Sequence, residues 1–115
     1  MATVEECRSA LDRFSAGLAR AEGDAKAAAA LDRSLSCRIT DLDITFTGRL
    51  ADGGIQDVIE VPGTPVDKAQ IRLSMTGDDL VALVAGELSF AKAWAAGRVK
   101  VQASLRDALR LRSLL

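Results

Sequence analysis

Between Ala69 and Leu115 the chain packs helix starts, helix stops and alternating strands so tightly that few arrangements satisfy them all. Thr76-Gly-Asp-Asp79 places a hydroxyl at an N-cap and a carboxylate three residues on, ahead of Leu80, Val81, Leu83 and Val84, which predicts a helix. Gly86 is placed to close it, because the left-handed residue after a helix costs least as glycine. Ser89 can cap a shorter helix bearing Phe90, Ala93 and Trp94, and Gly97 can end that one. Ser104 and Asp107 repeat the capping pattern, and Leu105, Leu109, Leu111 and Leu115 run down a final helix. Two strands frame these helices. Ala69, Ile71, Leu73 and Met75 alternate with polar residues, as do Val99 and Val101, the period of a half-buried strand.

The upstream half supplies the remaining layers. Thr3 and Glu6 form a capping box, after which Val4, Cys7, Leu11, Phe14, Leu18 and Ala21 recur at steps of three and four. A coiled coil could use such a stripe, but it stops at Gly23 and holds small or bulky residues where leucine would serve, so packing onto a sheet fits better. Asp24 can cap an alanine-rich second helix from Ala27 to Arg33. From Leu35 the period becomes two: Leu35, Cys37 and Ile39 form one set, then Leu42, Ile44, Phe46 and Leu50 another. Their parity differs, which predicts a tight turn at Asp41 to Asp43 joining two antiparallel strands. Asp52-Gly53-Gly54 signals a second hairpin, Ile55 to Val61 a third strand, and Pro62-Gly-Thr-Pro65 its end. The expectation is one α+β domain over residues 1–115: a five-stranded, mainly antiparallel sheet with helices covering one face. Hairpins would link the strands as far as Met75, and only the fifth would need a crossover.

Composition narrows the chemistry. The chain is 49% hydrophobic with three Phe and one Trp, so its interior is aliphatic, and its net charge of −1 gives no field favouring nucleic acid. No aromatic platform lies among basic residues to add a single-strand surface. Without histidine, Ser-His-Asp and Cys-His catalysis and histidine zinc sites are excluded. Asp41 and Asp43 read as turn residues, Asp78 and Asp79 as helix-start charges. Cys7 and Cys37 read as small buried hydrophobes in a reducing compartment, and the acidic start shows no signal peptide. No apolar run is long enough for stable membrane insertion, so a cytoplasmic, non-enzymatic protein without cofactor or metal is expected. Arg98, Lys100, Arg106, Arg110 and Arg112 face only Asp107 along the last stretch, which reads first as the charged solvation of a short helix and second as a basic patch that could attract an anionic head group.

What remains is an apolar ligand. Phe46, Ile59, Ile71, Leu73, Leu80, Leu83, Val84, Phe90, Trp94, Val101, Leu105 and Leu109 could wall a cavity between sheet and helices, or equally fill an ordinary core. Phe90 and Trp94 stand out, one turn apart on a short helix between two glycines.

These same residues carry a resemblance. The strand Ala69-Gln-Ile-Arg-Leu-Ser-Met, the capped Gly77-to-Leu88 segment, the Phe90–Trp94 helix, Gly97-Arg-Val-Lys-Val and the leucine-rich end resemble the sterol carrier protein 2 (SCP-2) family of lipid-binding domains. The likeness is closest to its compact bacterial members, which end in Arg-Leu-Arg-Ser-Leu-Leu as this chain does. It implies an apolar cavity accepting sterols, fatty acids or fatty acyl-CoA. It also implies lining residues Ile71, Leu73, Leu80, Leu83, Val84, Phe90, Trp94, Leu105 and Leu109. The chain ends in Ser-Leu-Leu, where the peroxisomal carriers have a further covering segment and a targeting tripeptide, so a second subunit could supply the lid and peroxisomal import is not expected. The competing reading keeps the fold but fills the core, leaving a homodimerisation or partner-docking module.

Overall fold

The computed structural model describes residues 1–19, 32–51, 54–65 and 68–114. The helix expected from Ala27, the Asp52-Gly53 half of the second turn, Ala21 and Leu115 lie outside them, as do the side chains of Leu18, Arg110, Leu111 and Arg112.

Helix α1, Val4–Ala19, opens on the reciprocal box read from sequence: Glu6 N donates to Thr3 Oγ1 and Thr3 N to Glu6 Oε1, both at 3.1 Å. Strands β1 (Arg33–Ile39) and β2 (Ile44–Ala51) are antiparallel across a turn in which Asp43 takes φ 52°. Arg33 therefore begins a strand instead of ending a helix. Strand β3, Gly54–Pro62, returns antiparallel to β2. Then follow β4 (Ile71–Met75), α2 (Gly77–Val84), α3 (Phe90–Ala95), β5 (Lys100–Gln102) and α4 (Leu105–Leu114).

The five strands lie in the order β3-β2-β1-β4-β5, antiparallel except where β4 runs parallel to β1. That pairing corrects the expected topology. The crossover precedes the fourth strand, and β5 joins β4 antiparallel after α2 and α3. Prolines 62 and 65 explain the departure, since proline has no N–H for another ladder rung. Strand β4 instead lies on the side of β1 away from β2. Gly63 is held at one end of the connection, donating to Asp43 O at 2.8 Å and accepting from Thr45 Oγ1 at 2.6 Å. Gln70 is held at the other by a reciprocal pair with Ser34, 2.8 and 3.1 Å.

Register sorts the side chains into two faces. Leu35, Cys37 and Ile39 share one with Ile44, Phe46, Leu50, Ile71 and Met75, and meet Cys7, Ala10, Leu11, Leu80, Leu83, Phe90 and Ala93 of the helices. The other carries Ser34, Ser36, Arg38, Thr45, Thr47, Arg72 and Ser74. A bulge opposite Gly48, with Asp57 at φ 55°, lets Val58 and Glu60 both face the helices. It turns Ile59 outward, 58% exposed, so this candidate wall residue is on the wrong face. Arg8 of α1 spans the inner side, bonded to Glu60 Oε1 at 3.3 Å and lying 5.8 Å from the Phe46 ring centroid.

Candidate functional site

The segment from α2 to α3 is built by two helix stops of one kind. Glu87 N donates to Ala82 O at 2.9 Å and Gly86 N to Leu83 O at 3.2 Å, with Gly86 at φ 78°. One helix later Arg98 N donates to Ala93 O at 2.9 Å and Gly97 N to Trp94 O at 3.1 Å, again with the glycine at φ 78°. Ser89 caps the short α3 through Lys92 N, fixing Phe90 and Trp94 on one side with ring centroids 5.8 Å apart.

The nine residues expected around a ligand fall into three groups. Ile71, Leu80, Leu83 and Phe90 are buried in the closed core. Leu73, Val84 and Trp94 are half-buried at its margin, with Leu73 paired across the strands to half-buried Val101. Leu105 and Leu109 are 76% and 52% exposed. Helix α4 turns Asp107 and Ala108 inward instead, because Asp107 takes Nε of Arg33 at 3.2 Å while its own N–H caps on Ser104 Oγ at 3.1 Å. Sequence reasoning passed over Leu88, which also packs against the margin. Its signal was available, since the position just past a glycine helix stop commonly returns an apolar contact to the helix it follows. Val84, with Val81, also floors a groove of about 290 Å³ between α1 and α2, whose walls include Glu5, Glu6 and Arg13.

The charges are arranged for support. Arg98 of the basic stretch is bonded to Asp79, and Asp107 holds Arg33 of β1. Asp41 accepts from Gly77 N at 2.9 Å, and Asp43 accepts from Arg38 at 2.8 Å. Cys7 and Cys37 are buried and unbonded; burial pushes their thiols up from 9.0 to about 11 and about 12, which keeps them protonated and poor nucleophiles. Among the described residues no group of three or more His, Cys, Asp or Glu could hold a metal, and no helix is long and apolar enough to cross a membrane.

This sheet and helix order can be set beside known proteins. The sequence profile described as alkyl sulfatase C-terminal matches residues 22–115. The chain belongs to the alkyl sulfatase C-terminal domain family. A crystal structure of sterol carrier protein 2 is 16% identical, with a TM-score of 0.65 over 92% of this chain and 90% of that one. The stereoselective inverting sec-alkylsulfatase Pisa1 from Pseudomonas sp. is 24% identical at a TM-score of 0.59, over 89% of this chain. This chain spans only 16% of that enzyme's length. A palmitated SCP-2-like protein from Aedes aegypti is 13% identical, with a TM-score of 0.61 over 98% of this chain and 94% of that one. No curated protein sequence matches. The alkyl sulfatase C-terminal domain therefore has the SCP-2-like fold here, as the resemblance in its second half implied.

Proposed function

We propose that this chain is a non-catalytic module holding the apolar part of an amphiphile between its sheet and its helix layer. One observation carries the reading: in an SCP-2-like layer pair, the apolar interior reaches the surface at Leu73, Val84, Leu88, Trp94 and Val101. On this reading Leu73, Val84 and Trp94 meet the ligand first. Ile71, Leu80, Leu83 and Phe90 become its walls as α2 and α3 draw away from the sheet, and Leu105 and Leu109 touch it only from the exposed side of α4. The palmitated relative supports a fatty acyl chain, and the family supports the alkyl part of a sulfate ester; sterols and fatty acyl-CoA belong to the same chemical range. Burying about ten methylenes at about 0.8 kcal/mol each supplies about 8 kcal/mol before association costs, the scale of micromolar binding at best. A cytoplasmic setting, keeping both thiols reduced, accords with this reading.

The closed packing of Ile39, Ile71, Phe90 and Val99 favours a second reading, a dimerisation or docking module with a filled core. Trp94 is the only tryptophan, so its fluorescence separates the two. Titration with decyl sulfate below its micelle concentration, with palmitate and with a sterol should each be followed, alongside native mass spectrometry. A saturable change with one ligand per chain, weakened roughly tenfold in Leu88→Gln, is expected for the module. Unchanged emission with all three ligands and a dimer in sedimentation would establish the second reading instead.

A further inference from the structure

The face of the sheet turned away from the helices carries a cleft of about 160 Å³ whose lining shares only Leu73 with the apolar seam. Strands β1 and β4 provide its floor, where Ser36 pairs with Arg72 and Arg38 with Ser74, so the two guanidinium-bearing positions sit diagonally on adjacent strands, two residues out of line and on one face. Thr45 of β2 closes one side, and the crossover brings Lys68 over the top. Three cationic side chains therefore share one small concavity. Among the described residues no carboxylate lines it. Asp43 reaches Arg38 Nη2 at 2.8 Å, but its side chain is 78% exposed and it is not part of the lining.

Two donors in this cluster have no acceptor. Arg38 Nη1 and Arg72 Nε are both buried without a hydrogen-bond partner. A buried donor on a permanently charged group is unfavourable until it meets an acceptor, and two guanidiniums with an ammonium also call for negative charge. The Thr45 hydroxyl is already spent on Gly63 O, while the Ser36 side chain, in a residue only 6% exposed, adds a hydroxyl at the floor. We infer that this cleft binds a small oxyanion of the phosphate or sulfate type, free or as the end group of a monoester. Several oxygens around one centre can meet both guanidiniums at once, as planar forks favour, and the space is too small for an acyl chain. This site is on the opposite side of the sheet from the apolar seam, so it stands or falls separately from the proposed function.

The test is an amide ¹H–¹⁵N titration of the whole chain with inorganic phosphate and with sulfate, against sodium chloride at matched ionic strength. Saturable one-site shifts are expected at Ser36 to Arg38 and Arg72 to Ser74. Arg72→Gln and Lys68→Gln should each weaken binding roughly fivefold or more, while Lys92→Gln on α3 leaves it unchanged. Asp43→Asn removes the carboxylate charge that competes for Arg38, and asparagine still tolerates φ 52°, so binding should tighten. Should Arg72→Gln fail to fold, Arg72→Lys keeps the charge but lacks the buried Nε donor and should bind more weakly. A parallel arm uses butyl phosphate: affinity equal to inorganic phosphate marks a free-ion site, and tighter binding marks an end-group site. Shifts no different from chloride in both arms, or wild-type affinity in Arg72→Gln, overturn the inference.

Discussion

At Gly77 two constraints on one residue oppose each other. A Cβ there would lie 3.0 Å from Cys7 Sγ and 3.2 Å from Ala2 Cβ, and neither neighbour is free to retreat, being 0% and 6% exposed. Alanine would gain at most about 1 kcal/mol of helix preference, less at a first-turn position, against about 1–3 kcal/mol for overpacking. Gly77→Ala should therefore destabilise by about 1 kcal/mol, read as a lower urea midpoint with unchanged slope. The same contact involves a thiol with its own pH signature. Cys7 and Cys37 titrate near 11 and 12 when folded and from 9.0 when unfolded. Folding thus favours the protonated form, so their contribution is whole below pH 9 and is lost as pH rises toward the folded values. The urea midpoint should fall between pH 9 and pH 11, and fall less steeply in Cys37→Ala; equal slopes would disprove the burial effect. The sequence disclosed that these cysteines were buried hydrophobes, yet gave no hint that Cys7 would press on a glycine seventy positions away, because long-range contact leaves no local pattern.

Caps and stops are the elements' most legible features, since each is encoded by residues three or four apart. Thr3 with Glu6, Thr76 with Asp79 and Ser104 with Asp107 all form the bonds their spacing implied. Gly86 and Gly97 end their helices left-handed. Gly97→Ala should cost about 1–2 kcal/mol, because a Cβ at φ 78° crowds the following carbonyl, and thermal unfolding should show a lower midpoint with native Trp94 emission retained below it. The bulge at Asp57 was legible only as a break in pattern. Ile55-Gln-Asp-Val-Ile sets two polar residues before two apolar ones, which interrupts the alternation, but aspartate only modestly favours the left-handed region, so the pattern does not say which residue is inserted. The final helix misled for a related reason. Its leucines suggest an apolar stripe, but the ion pair from Asp107 to Arg33 sets which side faces the sheet, and Arg33 follows an alanine-rich run whose pattern points to helix.

At the scale of the molecule, sequence patterns specified the layers but not the strand order, and the expected hairpin from β3 to β4 gave way to a parallel pairing of β4 with β1. Alternation says which residues share a face, but not which strand lies beside which, and prolines 62 and 65 only say that the chain leaves the sheet. The candidate seam was legible to the same extent. Periodicity grouped Leu73, Val84 and Trp94 with Ile71 and Phe90, while the difference between margin and interior depends on the packed assembly. The basic cleft was not legible at all, because Arg38, Lys68 and Arg72 come together only through the parallel pairing of β4 with β1. That pairing also orders events in time. Strands β1, β2 and β3 are joined by near neighbours and can zip as a meander, whereas β4 must find β1 after the whole meander and crossover have been laid down. Closing that long loop is entropically costly before any contact rewards it, and the docking of Ile71 beside Leu35 is the pairing that must meet this cost. A chain emerging from the ribosome would hold a half-built sheet with the β4-facing edge of β1 bare until Ile71 to Met75 became available to cover it.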